Sequence, residues 1–165
     1  MLPESIAAKR FWSVADNAHA RFDAVERGYL YRVHHHKDPF LENRSYHFRP
    51  ALDVDAMNVA CAHLIGKQDF TSFCKAGSDN KTMLCDVRAA RWEQVGDGVQ
   101  FTISADRFLR NMVRAIVGTC LRVGSGAKPS EHMKEVIDVR DRSAAGKGAP
   151  ACGLYLQRVM YPYLP

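Results

Sequence analysis

A chain of 165 residues with 47% hydrophobic side chains is long enough for one domain that buries about two-thirds of its unfolded surface, which excludes a disordered polymer. Lysine and arginine number 23 against 18 aspartate and glutamate, and the resulting net charge of +5 favours a polyanionic partner without establishing one. No stretch is long and apolar enough to span a bilayer, the opening MLPESIAAKRFW lacks a signal-peptide core, and five cysteines without close spacing read as reduced thiols. The expectation is a soluble cytoplasmic protein with no membrane attachment.

The first regular element is Tyr29 to His35, where Tyr29, Tyr31 and Val33 fall on one face and Leu30, Arg32 and His34 on the other, as in a strand. Pro39, Glu42 and Asn43 mark a loop. Asp53 opens a helix with Val54, Met57, Cys61 and Leu64 on its inner side, which Gly66 is expected to close. Lys81 to Met83 and Val87 to Trp92 read as extended. Gly96-Asp97-Gly98 is a hairpin signal. It leads into the clearest strand, where Val99, Phe101, Ile103 and Ala105 alternate with Gln100, Thr102, Ser104 and Asp106.

The stretch Ala105 to Gly126 carries helical spacing with two unlike faces. Phe108, Leu109, Met112, Val113, Ile116, Val117, Cys120 and Leu121 form an apolar face, and Arg107, Arg110 and Arg114 form a row opposite, continued by Gly118. Asp106 is the expected N-cap and Gly124 the expected stop. The glycine leaves room for another backbone to come close; the arginines suit a solvated face, a nucleic acid or another domain. A turn from Gly124 to Pro129 precedes a shorter helix capped by Ser130 and holding Met133, Val136 and Ile137. A loose segment, Ser143 to Pro150, then leads to a last strand from Leu154 to Tyr161. Strands joined partly by hairpins and partly by helices predict an α+β domain: a largely antiparallel sheet with helices packed on one face.

Three adjacent histidines, His34, His35 and His36, invite a metal reading, but strand geometry sends neighbours to opposite faces, so none is assigned. Gly146-Lys147-Gly148 lacks the spacing of a phosphate loop, and neither a Gly-x-Ser-x-Gly element nor a dinucleotide fingerprint is present. The segment Ala18 to Tyr31, AHARFDAVERGYLY, sets aromatic rings among arginines, which suits stacking on an unpaired RNA base as well as packing in a core.

These pieces resemble, in order, the blocks of the tRNA pseudouridine synthase A family. His19-Ala-Arg-Phe-Asp-Ala24 with Arg27-Gly-Tyr-Leu-Tyr31 is similar to its second block, and Gly66-Lys-Gln-Asp-Phe-Thr-Ser-Phe73 to its G-x-x-D-F-x-S-F segment. Phe108-Leu-Arg-Asn-Met-Val-Arg-Ala-Ile-Val-Gly118 resembles its third block, and Gly153-Leu-Tyr-Leu156 with Tyr161-Pro162 its terminal strand. The resemblance implies an isomerase that converts uridine to pseudouridine on the 3′ side of the tRNA anticodon stem-loop, without metal or organic cofactor. It implies Tyr29 as the active-site tyrosine and Arg114 as the partner of the catalytic aspartate. Arg21, Phe22, Arg107 and Arg110 are the implied RNA contacts, and a homodimer is the implied assembly.

The family's nucleophile sits in an R-T-D-A-G-V-H-type segment, which has no counterpart here; Asp23 and Asp69 belong to other blocks. Residues 1–165 are therefore expected to form a single domain, the C-terminal half of a synthase whose N-terminal domain supplies the aspartate. Alone, this half is expected to be inactive. The alternative is a non-catalytic RNA-binding or dimerisation module. Cys85 stands where arginine is frequent in the family, which removes that RNA contact.

Overall fold

A computed structural model describes residues 2–164. Its sheet is built from β1 (Glu26–His34), β2 (Tyr46–His47), β3 (Gly66–Asp69), β4 (Leu84–Val95), β5 (Gly98–Ala105) and β6 (Leu154–Met160). The helices are α1 (Val54–Ala62), α2 (Met112–Gly124) and α3 (His132–Val139). The strand order is β2-β1-β5-β4-β3, and β6 also pairs with β1. Every pairing is antiparallel except the short one between β1 and β2. This is the α+β architecture the sequence predicts.

The alternation in β5 decides which way the sheet faces. Val99, Phe101, Ile103 and Ala105 are buried, as are Tyr31 and Val33 of β1, and they share one core with Met57 and Cys61 of α1, Ile116 and Cys120 of α2, and Met133 of α3. In β4, Cys85 and Val87 point inward at odd positions, whereas Trp92 does so at an even one. The register shift between Val87 and Ala89 explains this: Arg88 is an extra, bulged residue that inverts the phase of everything after it. Trp92 then lies opposite Phe101, with the rings stacked at 4.8 Å. Arg88 itself turns outward to Glu26 at 2.7 Å.

Several boundaries differ from the expected ones. The first strand begins earlier, at Glu26, and Lys81 to Met83 lie outside β4. Helix α1 ends at Ala62, where the His63 amide donates back to Ala60 and Cys61; Gly66, at φ 97°, starts β3 instead of closing the helix. Ser130 does not cap α3, whose N-cap is Glu131. The largest difference is at α2, which starts at Met112. The Asp106 carboxylate is engaged by the amides of Asp86 and Arg107, at 2.8 and 2.7 Å, so it closes the end of the β4–β5 pair and caps no helix. The chain then runs non-helically through Arg107 to Asn111, and Asn111, at φ 68°, turns it into α2.

Candidate active site

A cavity of about 340 Å³ opens where β1, this lead-in and the first turn of α2 meet. Tyr29, Phe108, Arg110, Asn111 and Arg114 line it, together with Lys75 from the segment after Phe73. Tyr29 is half-buried, and its ring meets Phe108 edge-on, with centroids 5.1 Å apart and planes at 89°. That arrangement fixes the phenol ring while leaving part of its surface toward the cavity. In β6 the pairing with β1 shifts beside Gly28 and Tyr29, so a bulge sits next to this tyrosine.

Arg114 is oriented by backbone. Its Nε donates to the Ala149 carbonyl at 2.6 Å, and the Ala149 amide returns a bond to the Arg114 carbonyl at 2.9 Å. A guanidinium has five N–H donors, so this bond at Nε leaves the two Nη groups for another acceptor. The segment that holds it is the one expected to be loose. Ala145 and Ala149 are buried, Thr119 Oγ1 donates to the Ala145 carbonyl at 3.2 Å, and Tyr31 donates its hydroxyl to the Pro150 carbonyl at 2.6 Å. Burial, with Cys152 and Tyr46 nearby, pushes the Tyr31 phenol well above its ordinary value, so it stays a donor. The strap reaches α2 because Gly118 has no side chain: a Cβ there would come within 2.3 Å of the Lys147 carbonyl oxygen.

The expected row of arginines is therefore split. Arg107 and Arg110 precede α2, and the fourth position, Gly118, is covered by the strap. Arg110 and Arg114 share the cavity with Tyr29, while Arg107 points away, toward the Thr82 carbonyl and Asn80 at 3.4 Å each. Arg21 and Phe22 lie elsewhere, on an exposed turn. The His19 ring accepts from the amides of Arg21 and Phe22 at 3.1 and 3.3 Å, and the Arg21 guanidinium lies 5.6 Å from the Phe22 ring centre. With 74% of its surface exposed, Phe22 is not a core aromatic. Arg27 fastens this turn to the sheet by donating to the carbonyls of Ala24 and Asp106, both at 2.7 Å.

Lys75 was not singled out by the sequence reading. Its amide donates to the Arg110 carbonyl at 2.9 Å, which docks the end of the G-x-x-D-F-x-S-F segment onto the lead-in. Its position two residues after that segment is the one signal that could have found it. Within the segment, Phe70 and Phe73 are buried, and Asp69 accepts from the Thr71 amide and hydroxyl at 2.8 and 2.6 Å. Burial raises the Asp69 carboxyl, but the two Thr71 bonds and nearby Arg140 outweigh it and hold the group below its ordinary value. Asp23 accepts from the His19 amide at 2.7 Å. Neither carboxylate lines the cavity, whose lining among the described residues is aromatic, apolar, amide and cationic.

Cys85 is buried, and burial pushes its thiol up to about 12. Cys61 and Cys120 are buried at an Sγ–Sγ separation of 3.7 Å between α1 and α2, as packing residues. His34 stacks on His47, ring centres 5.1 Å apart, and His35 meets the Phe48 carbonyl at 2.8 Å. No helix among the described residues is long and apolar enough to cross a membrane.

A family model described as tRNA pseudouridine synthase matches residues 60–162. Proteins named tRNA pseudouridine synthase A from Parabacteroides distasonis and Porphyromonas gingivalis are each 48% identical to the chain, over 162 and 165 residues. One of the same name from Bacillus subtilis is 41% identical over 163 residues. Each alignment covers 98% of this chain but only 64%, 65% and 66%, respectively, of the relative, so the chain spans just under two-thirds of their length.

Proposed function

Because the chain belongs to the tRNA pseudouridine synthase family, we propose that it forms part of an enzyme that isomerises uridine to pseudouridine in tRNA, on the 3′ side of the anticodon stem-loop. The observation that carries the reading is the meeting of Tyr29, Arg110 and Arg114 in one cavity whose lining, among the described residues, holds no carboxylate. The reaction needs one. In the isomerisation the N1–C1′ bond breaks, the base turns, and a C5–C1′ bond forms; C5 loses a hydrogen and N1 gains one. A carboxylate begins this sequence. Here it would come from a segment outside these 165 residues, the N-terminal domain of the whole protein.

Tyr29, braced by Phe108, offers a ring face to a uridine that has left its stack, a step that costs a few kcal/mol. Arg114, fixed through Nε to Ala149, has Nη groups free to pair with the incoming carboxylate, keeping it ionised and aimed. Arg110 lies in the same cavity; Arg107, turned toward Asn80, and Arg21 with Phe22, on an exposed turn outside the cavity, are further basic and aromatic groups that suit RNA. The reading includes a cytoplasmic homodimer that needs no metal or organic cofactor.

Arg114→Ala in the complete protein tests this assignment. Pseudouridine formation in an anticodon stem-loop should fall at least a hundredfold in kcat, while tRNA affinity changes by less than about threefold. Equal losses in turnover and binding would make Arg114 an RNA contact and favour the non-catalytic RNA-binding module. The isolated 165-residue chain should bind tRNA but form no pseudouridine.

A further inference from the structure

Asn111 turns the chain into α2 from the left-handed region and also reaches the cavity. It is one of three non-glycine residues at positive φ among those described, with φ 68° and ψ 2°. Asparagine tolerates this left-handed conformation, but glycine adopts it with no Cβ penalty. The position would suit an N-cap, yet the Asn111 side chain makes no capping bond to α2. Asn111 is one of the residues lining the cavity that holds Tyr29 and Arg114. The strap leaves space for its side-chain amide: a Cβ on Gly148 would lie 3.2 Å from Asn111 Nδ2. A polar residue held at positive φ in the wall of a cavity points from geometry toward function.

Resting on the synthase reading above, we infer that Asn111 reads the edge of the flipped uracil. Its Oδ1 accepts from N3–H, and its Nδ2 donates to the neighbouring carbonyl oxygen; a carboxamide matches this donor–acceptor pair without a charge. Tyr29 holds the face of the base and Asn111 holds its edge. The reaction itself makes this contact useful. Turning uracil about the line through N3 and C6 exchanges N1 with C5 and O2 with O4, yet leaves N3–H in place. An amide on that edge therefore meets the same donor and the same kind of acceptor before and after the turn. It steers the base through rotation and favours neither uridine nor pseudouridine.

Asn111→Gly in the complete protein is the decisive variant, because glycine keeps the backbone conformation and removes only the amide. The variant should unfold at the same temperature as the parent or higher, and bind tRNA within twofold. Its kcat for pseudouridine formation should fall by roughly ten- to a hundredfold, the range expected for losing a paired base-edge contact. A second arm replaces the target uridine by N3-methyluridine. The parent should lose at least tenfold on this substrate, whereas Asn111→Gly should lose less than about threefold relative to its own rate on uridine. Full turnover by Asn111→Gly would overturn the inference and leave Asn111 as a turn residue. An equal methyl penalty in both proteins would overturn it too. A parent that forms no pseudouridine in tRNA overturns the synthase reading and the inference with it; activity in the parent with an indifferent Asn111 overturns the inference alone.

Discussion

Residues 2–25 and residues 141–150 both lack helix and strand, yet they stand in opposite relation to the rest of the molecule. The first stretch is held mainly by short-range bonds, such as Ile6 to Pro3 and Ala18 to Ala15, and exposes Phe11, Trp12 and Phe22. The second is drawn into the core through Ala145 and Ala149 and bonded to Thr119, Arg114 and Tyr31. What separates them is a landing site. The strap has Gly118 on α2, where the helix surface is bare enough for two backbones to meet. The first stretch reaches regular structure only at its end, where Arg27 and Tyr161 catch it and the Val25 amide pairs with Met160. Irregular backbone is thus ordered by what it lands on, and here the ordered piece is the one that positions Arg114.

The strongest way to break this contrast is Gly118→Val. The side chain would displace the Lys147 carbonyl, and unfolding in urea should show a loss of about 3 kcal/mol, at the upper end for overpacking. If the strap is as dispensable as the first stretch, stability will stay at the parent value. A milder test uses pH. Hydrogen bonds from the Ser143 backbone and side chain hold the Asp141 carboxyl below its ordinary value, so its anchoring of the strap is complete above about pH 4. It is lost as pH falls through the lowered folded value. Amide protection factors for Ser143 to Ala149 should drop in that window before those of β5 do, and Asp141→Ala should show the drop already at neutral pH. The smallest effect on stability belongs to Phe22→Ala, expected within about 0.5 kcal/mol of the parent because the ring is exposed. The same change should weaken tRNA binding by roughly tenfold if a base stacks there. Unaltered binding in a filter or fluorescence assay would place the RNA path elsewhere.

Periodicity made the sheet and the core legible. The alternation of Val99, Phe101 and Ile103 and the helical spacing of Met112, Ile116 and Cys120 both emerge as buried faces. Helical spacing marks Arg110 and Arg114, and motif resemblance adds Tyr29, but nothing local in the chain places the three around one cavity. The rest depended on contacts distant in the chain. Phe108 and Leu109 fit the helix spacing, but Asp106 is committed to Asp86 across the β4–β5 pair, so the helix cannot start there. Asn111 looks like an ordinary helical residue until its φ is known. Lys75 and the strap carry no periodic signal, because their partners are the Arg110 carbonyl and a bare patch of α2.

The bulge at Arg88 makes β4 two half-strands spliced in opposite phase, with Cys85 and Val87 inward before the joint and Trp92 inward after it. Deleting the extra residue at the joint would smooth the pairing with β5 and leave both halves facing the core, whereas deleting one residue within either half would turn part of that half outward. Deleting two residues from the strand on one side of it would preserve both. Outside the joint, the length of β4 is thus constrained by parity more than by size, so drift there should proceed in steps of two.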